Sequence, residues 1–298
     1  MRRIMTTVVV VALLATAVPM FGQVQSVTGY NKVTVPAQSD VIVSVPFTQK
    51  PEGTFTVATD GVGDDTLSVD EDITTEYDGA YYIRFTSGDA KGLWSTIKSS
   101  NTTTESVELE DTSMLTGGKV AEGDTFKIIK HQMLSSVFPD KLAGLSFVAS
   151  TGSGFGLKIK TRVLLWQESV GTNQAPSRTF YFHDSGEWRN LAGSNSNDTV
   201  IAPDAILVIR NTSDKNLTYI PQGSVYTGAV AKTIQTYASA DDVYTSTTRP
   251  VAVKLKDLGL GGSDAFVTST GAGFGLTIKD RLLVFDNSTT GTNKAPVS

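Results

Sequence analysis

The run His183-Asp184-Ser185 places the three side chains of a hydrolase triad in consecutive positions. A triad works through a hydroxyl, an imidazole and a carboxylate converging in one relay of hydrogen bonds, and adjacency in sequence does not create that relay. These residues lie between Tyr181-Phe182 and Trp188 and end on Ser185-Gly186, the composition of a turn between two strands. His131 is the only other histidine, which leaves little basis for a His-built metal site. Gly152, Gly154 and Gly156, with Gly271, Gly273 and Gly275, invite comparison with a phosphate loop. A dinucleotide loop is spaced G-x-G-x-x-G and opens a helix whose N–H groups face the phosphates. Here Leu157-Lys158-Ile159-Lys160 follows and alternates as a strand does, so the glycines are expected to relieve backbone strain in a hairpin or bulge.

Asp60, Asp64, Asp65, Asp70, Glu71 and Asp72 form an acidic stretch. Carboxylates of this kind bind Ca²⁺, and Asp64, Asp65, Asp70 and Asp72 are the candidate ligands, although the stretch lacks the twelve-residue EF-hand loop. Apart from that ion no cofactor is expected. A glycosidase needs two carboxylates at a defined separation, and nothing in the sequence selects a pair. Trp94, Trp166 and Trp188 with Tyr81, Tyr82, Tyr181 and Tyr219 could line a sugar platform. Filling sheet cores is the simpler use of such aromatics. Trp166 is matched by Phe285 in a second copy of its segment, which keeps size and loses the indole N–H, as packing permits.

Strands must position these groups. Tyr81, Ile83 and Phe85 share one face of a period-two run, with Arg84 and Thr86 on the other. Val107 and Leu109 alternate with polar neighbours in the same way. The pattern predicts further strands over 32–35, 41–45, 54–58, 92–97 and 125–130, and one helical turn over 132–138 closed by Pro139. The expected fold class is all-β. An antiparallel barrel or sandwich covers 24–131, and a duplicated β module follows as 132–250 and 251–298.

The duplication is explicit. The segment from Ser146 to Arg162 returns from Ala265 to Arg281, and Val163-Leu164-Leu165-Trp166 returns as Leu282-Leu283-Val284-Phe285. Gly171-Thr172-Asn173 then returns as Gly291-Thr292-Asn293. The offset of about 119 residues marks a duplicated module, not a short-period solenoid. In the first copy, strands are expected to continue through 179–182, 187–189, 205–210 and 217–225. The second copy ends at Ser298, before their counterparts, so it is expected to be incomplete by roughly 40 to 60 residues.

Several blocks resemble an uncharacterised family of exported β-rich proteins from the verrucomicrobial group of bacteria. They are Val33-Thr34-Val35-Pro36, Val43-Ser44-Val45-Pro46-Phe47-Thr48, the stretch from Tyr82 to Trp94, Gly123-Asp124-Thr125-Phe126, and the repeat's Leu283-Val284-Phe285-Asp286-Asn287 and Gly291-Thr292-Asn293-Lys294. The resemblance implies export and a completed second repeat, and it carries no established activity.

Arg2 and Arg3 precede an apolar run from Val8 to Val18, and small residues follow. That is the form of a secretory signal peptide, assigned to residues 1–23, and the run is too short to span a bilayer. Its removal from the 25 basic residues leaves 23 against 30 acidic ones, a charge near −7. An acidic chain without a basic cluster is a poor ligand for nucleic acid. No later segment is long and apolar enough to be a transmembrane helix. With no cysteine there is neither a disulfide framework nor a thiolate metal site. The expectation is a non-enzymatic exported protein with a structural, adhesive or binding role at the cell surface or beyond, facing polysaccharide or other cell-envelope components. An extracellular carbohydrate-active protein is the alternative.

Overall fold

The computed structural model describes residues 28–139, 147–166, 171–172, 174–231, 242–244, 246, 248–251, 253–258 and 267–297. The signal peptide expected at 1–23 lies outside them. The architecture is all-β, as the sequence pattern requires, with helical turns only at α1 (Ser113–Thr116), α2 (Leu134–Val137) and three short 3-10 segments among the described residues. None of these is long and apolar enough to cross a membrane.

Six strands close a barrel: β4 (Pro51–Val62), β5 (Thr66–Val69), β6 (Tyr81–Phe85), β7 (Trp94–Asn101), β8 (Ser106–Leu109) and β9 (Thr125–Lys130). Around the barrel their order is β4-β5-β8-β7-β6-β9, and β9 returns to β4. Closure leaves no free edge. Alternate residues fill the interior, among them Phe55, Leu67, Ile83, Phe85, Ile97, Phe126 and Ile128, and α1 adds Met114 and Leu115. The long strand β4 bends at a bulge between Val57 and Val62. Gly61 is needed there, because a Cβ would lie 2.8 Å from the carbonyl oxygens of Ala58 and Ser68.

The second body is a five-stranded sheet in the order β13 (Trp188–Asn190), β12 (Arg178–Phe182), β11 (Thr161–Trp166), β15 (Ile206–Asn211), β3 (Ser39–Ser44). Here the linear division at residue 131 is corrected. Strand β3 pairs in full register with β15. Strand β2 (Val33–Val35) pairs with β16 (Leu217–Tyr219), and β1 (Thr28–Tyr30) pairs with β17 (Gln222–Ser224). Residues 28–47 therefore belong with the strands that follow the barrel, and the barrel is an insertion between β3 and α2. The physical reason is core completion. Val41, Val43 and Val45 face Val163, Leu165, Leu207 and Ile209, and without them that face of the sheet would be open. The chain enters and leaves the barrel side by side, where Gln49 Nε2 donates to Gln132 Oε1 at 2.9 Å.

The face assignment of β6 holds, but its consequence for Arg84 is corrected. Ile83 and Phe85 point into the barrel and Arg84 points out of it, yet Arg84 is only 1% exposed. The outer face is roofed by the segment around Tyr226, which Ala231 N ties to Gly92 O at 3.1 Å. Arg84 lies over the rings of Tyr226 at 4.6 Å and Tyr82 at 5.5 Å. Its Nε and Nη2 have no hydrogen-bond acceptor, so the two ring faces supply its partners there.

The apolar stretch 282–285, expected to be a strand, is not one. Its counterpart β11 is buried because β12 and β15 flank it, whereas Val284 makes a single bridge to Val297 and Leu283 stays 44% exposed.

Candidate functional site

Two loops built to one plan stand out. In the first, Thr151 and Lys158 exchange backbone hydrogen bonds, and a 3-10 turn, Gly154–Gly156, lies between them. In the second, Thr270 and Thr277 do the same around Gly273–Gly275. The supporting contacts repeat as well: Lys160 N donates to Ser150 Oγ and Lys279 N to Ser269 Oγ, each at 3.1 Å. Glycine is required at the start of each loop. Gly152 has φ +81° and Gly271 φ +83°, and a Cβ would lie 2.5 and 2.1 Å from the carbonyl oxygens of Gly156 and Gly275. The glycines thus serve a tight turn, as expected, although each turn is closed by one bridge and not by paired strands.

At the tip of each loop stands one phenylalanine. Phe155 and Phe274 have relative exposures of 114% and 116%. A single exposed apolar residue is ordinary. The same fully exposed ring recurs at equivalent positions of two copies, on loops whose first glycine is obligatory. Each ring forgoes about 1.5–3 kcal/mol of burial by facing water, which a partner could recover. The sequence held the signal, since phenylalanine is flanked by glycine in both copies, but only the structure shows that both rings are fully exposed.

His183 touches the first loop from behind, with Nε2 3.4 Å from Gly152 O. Asp184 Oδ1 and Ser185 Oγ both lie 2.9 Å from its Nδ1. A triad has the carboxylate on one ring nitrogen and the hydroxyl on the other, so this arrangement makes no relay. It holds the β12–β13 turn.

The four calcium candidates are not brought together. Asp64 and Asp65 precede β5, and Asp70 and Asp72 follow it, about 16 Å away along the strand at ~3.3 Å per residue. No cluster of three metal-ligating side chains occurs among the described residues. The neighbouring Glu71 caps the barrel, accepting from Thr56 N at 2.7 Å and Thr56 Oγ1 at 2.8 Å. Glu105 accepts from Ile73 N in the same manner.

The aromatics divide as packing predicts, with one correction. Trp188 is core, and its Nε1 donates to Phe138 O at 2.8 Å. Trp166 packs on Tyr244, and its indole N–H does have a partner, Gln174 O at 2.9 Å, a contact that Phe285 cannot make.

His131, 1% exposed, packs its ring against Tyr82 and Trp94 on the outer barrel face, and its Nδ1 has no partner. Burial lowers its pKa to about 4 from 6.5 and raises that of Tyr82 to about 12. The unfolded chain therefore takes up a proton below about pH 6.5 that the folded chain refuses until about pH 4. Stability is whole above the upper value and falls as pH drops through the window, by on the order of 3 kcal/mol. His131→Gln should flatten this part of the pH–stability curve in urea titrations. An unchanged slope between pH 6.5 and 4 would place the acid sensitivity elsewhere.

Comparison of the chain with protein-family models, curated proteins and solved structures finds no match.

Proposed function

We propose that the protein is an exported, non-enzymatic adhesive or binding protein of the cell surface or extracellular space, and that the two Gly-Phe-Gly tips are its points of contact. The duplicated, fully exposed ring is the observation that carries this reading. A loop already fixed by glycine geometry loses little conformational freedom on binding, and two tips on one chain raise avidity without new contacts. Glu71 and Glu105 are engaged in backbone caps and Asp40 in an ion pair with Arg210, which supports a framework role for these three carboxylates. Export rests on the leader pattern and on the resemblance to exported verrucomicrobial proteins. Polysaccharide or other cell-envelope material is the partner class.

The test is a pull-down of the purified mature chain on cell-envelope polysaccharide. Phe155→Ser with Phe274→Ser should abolish retention, each single change should weaken it several-fold, and the melting temperature should hold because neither ring is packed. Full retention by the double variant would move the contact away from the tips.

A further inference from the structure

The two Gly-Thr turns that end the duplicated segments make the same contact with two different segments of the chain. Gly171 O accepts from Asp242 N at 3.0 Å, and Gly291 O accepts from Asp40 N at 2.9 Å. Both glycines have the same left-handed backbone, φ +117° and +110°. In both contacts the donor is the N–H of an aspartate followed by valine: Asp40-Val41 lies near the start of β3, and Asp242-Val243 stands upstream of the second copy's glycine loop. The first copy's turn thus grips a segment that leads into the next repeated segment. The second copy's turn makes the same bond to β3, which lies ahead of the first repeated segment.

The second joint is polar and shallow. Asn293 N donates to Asp40 Oδ2 at 2.8 Å, and Gly291 N to Ser39 Oγ at 2.9 Å. Asn287 imitates a strand, accepting from Ile42 N at 2.9 Å and donating to Ile42 O at 2.7 Å. These bonds cover the outer edge of β3, the edge of its sheet. Outside them the segment 267–297 buries almost nothing, and Leu276, Ile278, Leu282, Leu283 and Val284 remain exposed. The joint is made of hydrogen bonds with little apolar burial behind it.

We infer that the β3 edge, Asp40 to Ile42, is a docking site for the 287–293 segment of a second copy of this chain, so that copies join head to tail through the joint that already links the two units inside one chain. A contact between two different patches extends as chains unless its rotation closes a ring. The proposal is independent of the phenylalanine tips.

The absence of native cysteine makes a direct trap possible. Ile42→Cys and Asn287→Cys are made as separate single variants, mixed at rising concentration and oxidised. The expected product is a disulfide-linked heterodimer of the two variants, formed in preference to either homodimer and increasing with concentration. The double variant should give a ladder of linked species beside the internally closed monomer. Sedimentation of the unmodified chain, which does not depend on the variants folding, should show concentration-dependent association that Asn287→Ala weakens. No heterodimer in the mixture, with quantitative internal closure of the double variant and a monomer at every concentration, would overturn the proposal.

Discussion

Phe85→Asp is expected to unfold the barrel, and Arg84→Asp, one residue away on the opposite face, is expected to be nearly as damaging. Phe85 is wholly buried among Phe126 and the other interior residues, where an unpaired carboxylate costs several kcal/mol or is driven to protonate. Period-two alternation alone would spare position 84, because its side chain leaves the barrel. The roof around Tyr226 removes that exemption. Asp at position 84 loses the guanidinium held between Tyr82 and Tyr226 and sets a negative charge against two ring faces, whose electron density repels it. Urea unfolding should show both variants destabilised by more than about 3 kcal/mol, whereas exposed Lys119→Ala stays within ~0.5. If Arg84→Asp behaved like Lys119→Ala, the roof would not be packed on the barrel in solution.

Asp40→Ala is the second large effect. Across the sheet, Arg162 pairs with Arg210, and Arg210 with Asp40, so two guanidinium groups lie side by side with one carboxylate at the end of the row. Asp40 accepts from Arg210 Nε at 2.8 Å and Nη2 at 2.7 Å, a two-point contact that raises the Arg210 pKa. Burial, with Arg210 as a like-charged neighbour, lowers that of Arg162. Removing the carboxylate leaves both cations facing each other in a mostly buried sheet. Breaking such a pair costs about 3–5 kcal/mol, and the partial exposure of Arg210 places this case near the lower figure. Asp40→Asn, which keeps the shape and loses the charge, should fall between wild type and Ala in the same titrations. Equal stability of Asp40→Ala and wild type would mean that the sheet does not need this ion pair.

The strands were legible wherever apolar and polar residues alternate along the chain. Strand β9 runs from Thr125 to Lys130 as the alternation predicts, and β6, β8 and β12 lie within a residue of expectation. Two kinds of fact were not legible. Pairing between distant strands leaves no local trace, so nothing in Ser39–Ser44 announces that its partner lies at Ile206–Asn211, across an inserted barrel. Burial imposed by a non-adjacent segment is equally silent: Arg84 reads as a surface residue until Tyr226 covers it. Of the candidate sites, the sequence marked both glycine loops and explained their backbone. It gave no direction for Phe155 or Phe274, because a ring between two glycines can turn toward a sheet or away from it. The spacing within the acidic stretch was hidden for a simpler reason. Its carboxylates lie on opposite ends of a four-residue strand, and composition does not record separation.

The most direct measurement of the tips' role uses the chain's lack of cysteine. Phe155→Cys and Phe274→Cys are each labelled with an environment-sensitive fluorophore and titrated with cell-envelope polysaccharide, while retention of the same samples is followed in parallel. If the tips are the contact points, both labels report transfer from water to an apolar or shielded environment, with the same concentration dependence as binding. If the protein is retained and neither label changes, the tips stay in water while something else binds, and the proposed role of Phe155 and Phe274 is wrong.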